Sequence, residues 1–233
     1  MPNNFYKKTL TWNKDILKQE VLYSLEIAVH PSTTGKIIIN YPGAEGHIDG
    51  YNDKYITLSK HIVDQNLASV VRSGNDYALG WDMNLRQVIQ YALENSLDIC
   101  GSETPELFLM GFSAGAGAIS MIAWEYPEVK AISLCAPAIG VGENKVKNGL
   151  ASFEGDVYIV IGEDDEIVGH TAGDLFLDFC TNAKHKELVK IPNCTHQFMG
   201  KTNGRIMSQI PFWAFDKSNK KNFPDFEAGI ELY

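Results

Sequence analysis

Glu106-Leu107-Phe108-Leu109-Met110-Gly111-Phe112-Ser113-Ala114-Gly115-Ala116-Gly117 is the stretch that decides how this chain folds. Its first half is an unbroken apolar run of strand length. Its second half is small and glycine-rich, and Ala118 to Trp124 continue as an apolar helix that ends before Pro127. Between them lies Gly-x-Ser-x-Gly, where a buried strand turns abruptly into a helix and lifts a serine hydroxyl above the sheet. Small neighbours are required because strand and helix pass within contact distance at such a corner. A phosphate-binding loop would carry Lys-Ser/Thr or Gly-x-Gly-x-x-Gly, and neither is present. Ser113 is therefore read as a nucleophile.

Outward from this corner, short apolar strands alternate with helical periodicity. Strands are expected at 36–41, 67–72, 106–112, 130–135, 156–161 and 187–191. Helices are expected at 51–66, 82–98, 114–126, 144–151, 171–182 and 204–216. Residues 5–12 and 20–30 read as an antiparallel pair ahead of this alternation. The pattern predicts an α/β fold, with a mostly parallel central sheet covered by helices on both faces. A chain of 233 residues with 45% apolar and 21% charged residues fits one domain spanning residues 1–233.

The formal net charge of −9 argues against nucleic-acid binding, since no basic run exists to displace counterions. It argues equally against a polybasic membrane anchor. No stretch has signal-peptide or transmembrane character. Cys100, Cys135, Cys180 and Cys194 show no metal-ligand or disulfide spacing, so no metal site is expected and a reducing cytoplasm is the default. Cys194 is expected to be a structural thiol.

In such sheets ligands bind at the carboxyl ends of the strands. The strand at 156–161 runs into Gly162-Glu163-Asp164-Asp165-Glu166-Ile167-Val168, and the strand at 187–191 into Pro192-Asn193-Cys194-Thr195-His196. The chain thus supplies a serine, then an acid, then a histidine, each at a strand tip. A serine alcohol needs an imidazole to take its proton, and the imidazole needs a carboxylate to fix its tautomer. His170, at the start of the next helix, is the rival base, and His47 is placed to line the site.

With these residues in place, the chain resembles compact α/β-hydrolases of the carboxylesterase, dienelactone-hydrolase and prolyl-oligopeptidase-like group, over roughly residues 20–216. Gly-Phe-Ser-Ala-Gly is a common form of their serine corner, and Gly162-x-x-Asp165-x-x-Val168 matches their acid motif. The resemblance implies a triad of Ser113, Asp165 and His196, with Asp165 preferred over Asp164, and Glu163 and Glu166 behind both. It implies an oxyanion hole built from the N–H of Ala114, after the nucleophile, and from the loop Pro42-Gly43-Ala44-Glu45-Gly46-His47. Relatives usually carry His-Gly there, so Pro42-Gly43 nominates Ala44 as the second donor. No metal or organic cofactor is implied.

The expected activity is cleavage of a small carboxylic ester through an acyl-enzyme. A thioesterase or small peptidase with the same triad, or an acyltransferase on the same fold, is the alternative. The partner is a small-molecule acyl substrate, and the oligomeric state is left open. Only Ala136 to Glu154 separates the relevant strands, so no large cap and an open site are expected. Trp81, Tyr77, Phe112, Phe198 and Met199 are candidate apolar walls. Glu45, Asp49, Glu163 and Glu166 suggest an acidic mouth favouring neutral or cationic substrates. The tail at 219–233 is expected to pack on the domain or on a partner.

Overall fold

A computed structural model describes residues 5–16, 19–75, 80–218 and 222–233. Eight strands form one sheet: β1 (Tyr6–Ile16), β2 (Gln19–His30), β3 (Lys36–Tyr41), β4 (Ser69–Ser73), β5 (Glu106–Phe112), β6 (Val129–Cys135), β7 (Asp156–Gly162) and β8 (His185–Ile191). Their order across the sheet is β1-β2-β4-β3-β5-β6-β7-β8. β1 pairs antiparallel with β2, and β2 antiparallel with β4, while every pair from β4 to β8 is parallel. The expected architecture, a mostly parallel sheet with an N-terminal antiparallel pair, is the one observed.

Among the described residues seven α-helices flank the sheet: α1 (Lys54–Asp64), α2 (Trp81–Glu94), α3 (Ser96–Cys100), α4 (Ala114–Ile122), α5 (Glu143–Ser152), α6 (Ala172–Phe179) and α7 (Lys201–Phe215). Side chains alternate along each central strand, and the two faces take different partners. Ile37, Ile39, Leu107 and Leu109 pack with Leu85, Ile89, Ile119 and Leu150 from α2, α4 and α5. Ile38, Phe108 and Met110 face the other way, against Leu58 and Ile62 of α1 and Ile206 and Ile210 of α7. Central strands buried on both faces explain why they read as continuous apolar runs.

Some boundaries move. The helix expected at 82–98 divides at Asn95 into α2 and α3. The one expected at 51–66 opens with a 3₁₀ turn at Tyr51–Asp53, because Asn52 and Asp53 have positive φ and delay the α-helix to Lys54. The segment between β6 and β7 holds a 3₁₀ turn at Ile139–Val141 and α5. The described part of the tail, 222–233, packs on the domain, and residues 219–221 lie outside the described residues. Ile230 N–H donates to Ser208 Oγ at 2.9 Å, Phe223 stacks on Trp213 with centroids 4.5 Å apart, and Leu232 is buried. No helix among the described residues is long and apolar enough to cross a membrane.

The serine corner needs its glycines for space. A Cβ on Gly111 would lie 2.7 Å from the Cα of Ala116, and one on Gly115 would collide with the Pro42 carbonyl at the end of β3. One on Gly117 would collide with the Ala138 carbonyl and Val141. At an exposed helix site, Gly→Ala gains about 1 kcal/mol. Gly117→Ala is expected to lose about 1–3 kcal/mol instead, because the new methyl overpacks a fixed backbone. Urea denaturation of the two proteins measures the sign.

Candidate active site

Ser113 links β5 to α4 with φ 51° and ψ −118°, a region that residues with a side chain rarely occupy. Such strain costs on the order of 1–3 kcal/mol and persists only where the surroundings over-determine it. Here the Ser113 N–H donates to Cys135 O at 2.9 Å, and its carbonyl accepts from Gly117 and Ala138, each at 3.1 Å. The corner is thus held from β6, from its own helix and from the segment beyond β6. The side chain stays half-buried rather than sealed.

The tips of β7 and β8 are locked together. Glu163 N–H donates to Ile191 O at 2.9 Å, and Asp164 N–H to Cys194 O at 3.1 Å. Gly162 lets the Cys194 carbonyl pass directly over it, where any Cβ would collide. This interlock sets the histidine beside the acid: His196 Nδ1 donates to Asp165 Oδ2 at 2.8 Å. The other oxygen, Oδ1, accepts the N–H groups of Ile167 at 3.0 Å and Val168 at 3.1 Å. The Asp165 side chain is 0% exposed and that of His196 11%. A carboxylate only accepts, so Nδ1 is the donor of this pair, and in the neutral ring Nε2 is then the nitrogen with the lone pair. Asp164 and His170 are both exposed, and neither joins this pair.

Ser113 and His196 line one cavity of about 280 Å³, together with Gly43, Ala44, His47, Lys54, Tyr55, Phe112 and Cys135. No hydrogen bond joins Ser113 Oγ to His196 among the described residues. Such bonds are often long without substrate and tighten in the complex. Gly43 abuts Ser113: a Cβ there would be 3.2 Å from Ser113 Cβ. Ala44 follows it and Ala114 is the first residue of α4, a position whose N–H has no acceptor within the helix. The positive end of the α4 dipole therefore lies beside Ser113.

Sequence reading missed two residues here. Asn75, buried just after β4, donates through Nδ2 to Pro42 O at 3.1 Å and Gly43 O at 3.2 Å. Its N–H donates to Gly46 O at 3.2 Å, and its Oδ1 accepts the Tyr41 hydroxyl at 2.9 Å. It therefore fastens both ends of the loop carrying Ala44. Lys54 is the second, a cation inside the cavity whose burial holds it below the ordinary lysine range, at about 8. Nothing in its sequence surroundings separates it from a solvated lysine.

Other expectations are corrected. None of Glu45, Asp49, Glu163 and Glu166 lines the cavity. Asp49 folds away to Arg72 Nη1 at 2.7 Å and Lys7 Nζ at 3.0 Å. Of the proposed apolar walls among the described residues, only Phe112 lines the cavity. Phe198 is in the core, Met199 is exposed elsewhere, Trp81, the first residue of α2, packs against the core, and Tyr77 lies outside the described residues. The thiols of Cys135 and Cys194 are buried, and burial pushes each up to about 12, so neither supplies a thiolate at neutral pH. Among the described residues no cluster of three or more His, Cys, Asp or Glu could hold a metal.

No protein-family model matches the chain, and no curated protein matches its sequence. Solved structures do. Est1E from Butyrivibrio proteoclasticus is 17% identical with a TM-score of 0.63, covering 85% of this chain and 94% of that one. The esterase Pf2001 of Pyrococcus furiosus is 14% identical with a TM-score of 0.65, covering 91% and 94%. Dienelactone hydrolase from Anabaena variabilis is 14% identical with a TM-score of 0.61, covering 90% and 99%. At these identities the likeness establishes the fold alone: the chain has the α/β-hydrolase fold.

Proposed function

We propose that this protein is a serine hydrolase that cleaves a small carboxylic ester through an acyl-enzyme. The observation that carries the reading is a strained serine at a strand–helix corner sharing one cavity with a histidine already oriented by a buried carboxylate. The esterases among its structural neighbours point the same way.

Ser113 Oγ attacks the ester carbonyl as its proton passes to His196 Nε2. The carbonyl π electrons move onto oxygen, and the N–H groups of Ala44 and Ala114 receive that charge, assisted by the α4 dipole. Collapse of the intermediate breaks the bond to the alcohol, which leaves with the proton held by His196. Water then enters, gives a proton to His196 and attacks the acyl-enzyme. The second collapse releases the acid and restores the Ser113 hydroxyl. Asp165 stabilises the imidazolium in both halves without itself being protonated.

A fluorophosphonate probe tests this reading, with covalent attachment expected at Ser113 and at no other residue. A p-nitrophenyl acyl series then measures turnover and acyl-length preference. Burst release of p-nitrophenol reports the acyl-enzyme, and added alcohols or amines reveal any transferase partition. Attachment elsewhere, or inert protein, rejects it.

Asn75 supports the reaction by position alone. Asn75→Ala releases the Ala44 loop from two carbonyl anchors, and a misplacement of about 1 Å costs on the order of 10²-fold. The expected result is a fall of that size in kcat with KM changed far less, read by steady-state kinetics on p-nitrophenyl acetate.

A further inference from the structure

Lys54 is a cation in the cavity to which ester cleavage gives no task. It opens α1, and its Nζ lies 5.2 Å from the ring centroid of Tyr55, 5.9 Å from Phe112 and 5.6 Å from Tyr233. Its hydrogen bond is to the Tyr233 hydroxyl at 3.2 Å. That hydroxyl sends its own proton to Gln197 O at 3.1 Å, so its oxygen is free to accept. An ammonium has three donors, and among the described residues this one spends a single donor. Among the described residues no carboxylate lies within 4.0 Å of it. Asp53, the residue before it, is exposed and makes no ion pair with it, and Asp49 is taken by Arg72 and Lys7.

A half-buried cation in an aromatic cage, without a counter-charge, is an expensive arrangement unless something pairs with it. Its position says what that partner is. Phe112, one face of the cage, is the residue before Ser113, and Lys54 and Ser113 line the same cavity, so one bound molecule can meet both. The overall negative charge does not oppose this, because charges more than about 10 Å away are largely screened.

We propose that Lys54 gives the site a preference for esters bearing a carboxylate, which its ammonium binds while the ester carbonyl rests at Ser113. This rests on the hydrolase reading above and names the substrate class of that same site. It replaces the expectation of neutral or cationic substrates.

Direct binding tests it apart from turnover. In a Ser113→Ala background, calorimetry compares two matched pairs. One puts the charge on the alcohol side (3-carboxyphenyl acetate against 3-carbamoylphenyl acetate), the other on the acyl side (methyl 4-carboxybenzoate against methyl 4-carbamoylbenzoate). The carboxylate member of at least one pair is expected to bind about 10-fold tighter or more, as for a charged hydrogen bond. Lys54→Gln should erase the difference and Lys54→Arg should keep it. Equal binding within both pairs, no measurable binding of either carboxylate, or a preference that survives Lys54→Gln overturns the proposal. Wild-type protein that cleaves none of these esters and resists the fluorophosphonate overturns the hydrolase reading instead, whichever way binding comes out.

The preference should also fade with alkali. Lys54 is charged below about 8 and neutral above it, so carboxylate affinity begins to fall as pH rises past 8. The groups facing it are Tyr51 and Tyr55 from its own segment, Cys135 from β6, Tyr233 from the tail, and His47 and His196 from the loops. Burial pushes Cys135 and Tyr233 up to about 12 and Tyr55 above its ordinary range. A series from pH 7.5 upward, taken as the ratio of acid to amide binding, removes whatever the shared groups contribute.

Discussion

Ser113→Ala is expected to abolish fluorophosphonate attachment and to lower kcat for p-nitrophenyl esters by about 10⁴- to 10⁶-fold, the loss seen when a nucleophile that works as part of a unit is removed. On the proposed mechanism the variant should be close to inert, because His196 would have no alcohol to deprotonate, while the N–H groups of Ala44 and Ala114 would still polarise a carbonyl toward water. Substrate affinity should change little, since the hydroxyl contributes small area to a cavity of about 280 Å³. Stability gives an independent reading of the same residue. Alanine inherits φ 51° and its strain, whereas glycine does not. Ser113→Gly should therefore be as inactive as Ser113→Ala yet more stable by up to about 1–3 kcal/mol, read as a higher Tm. Activity surviving in either variant places the nucleophile elsewhere; equal stability of the two denies the strain.

How much of this was legible in the residues depends on what each one does. Apolar runs of strand length alternating with helical spacing determine a sheet covered on both faces, and Gly-x-Ser-x-Gly marks where one strand turns. Asp165 and His196 could be nominated because tips of parallel strands share one end of the sheet, whatever their separation along the chain. The order β2-β4-β3 was not legible: β4 lies between an antiparallel and a parallel neighbour, and its short buried run is compatible with either. Side-chain direction was equally hidden. Asp49 stands two residues from His47 and looks like part of the mouth, yet Arg72, fully buried on β4, draws it away. Asn75 left no trace, since one amide after a strand carries neither period nor motif, and its value comes from carbonyls more than thirty positions earlier. Lys54 was not singled out, because charge patterning cannot see the aromatic rings that the tail and β5 bring to it.

Asp165→Asn should cost about 10⁴-fold in kcat, comparable to the effect of the same exchange in a serine-protease triad, and here the hydrogen bonds dictate why. In the native arrangement Oδ1 accepts two backbone N–H groups, from Ile167 and Val168, and Oδ2 accepts His196 Nδ1. Asparagine has one acceptor oxygen and one amino group. The two backbone donors cannot turn away, so they claim the oxygen, and the amino group must face the imidazole. His196 is then forced to accept at Nδ1 and to carry its proton on Nε2, the tautomer that cannot take a proton from Ser113. The fold should survive, because both backbone bonds are kept and the exchange is nearly isosteric. The fluorophosphonate reaction should slow in parallel with kcat, since both need the same deprotonation. Asp164→Asn is the matched control: that carboxyl is exposed, and only its N–H is engaged, with Cys194 O. It should stay within a few-fold of the native rate. The reverse outcome, a collapse at Asp164 with Asp165→Asn active, would mean that the carboxylate seen beside His196 does not set its tautomer during turnover. Single-turnover acylation rates for the two variants, measured with a p-nitrophenyl ester across pH 6 to 9, decide between them.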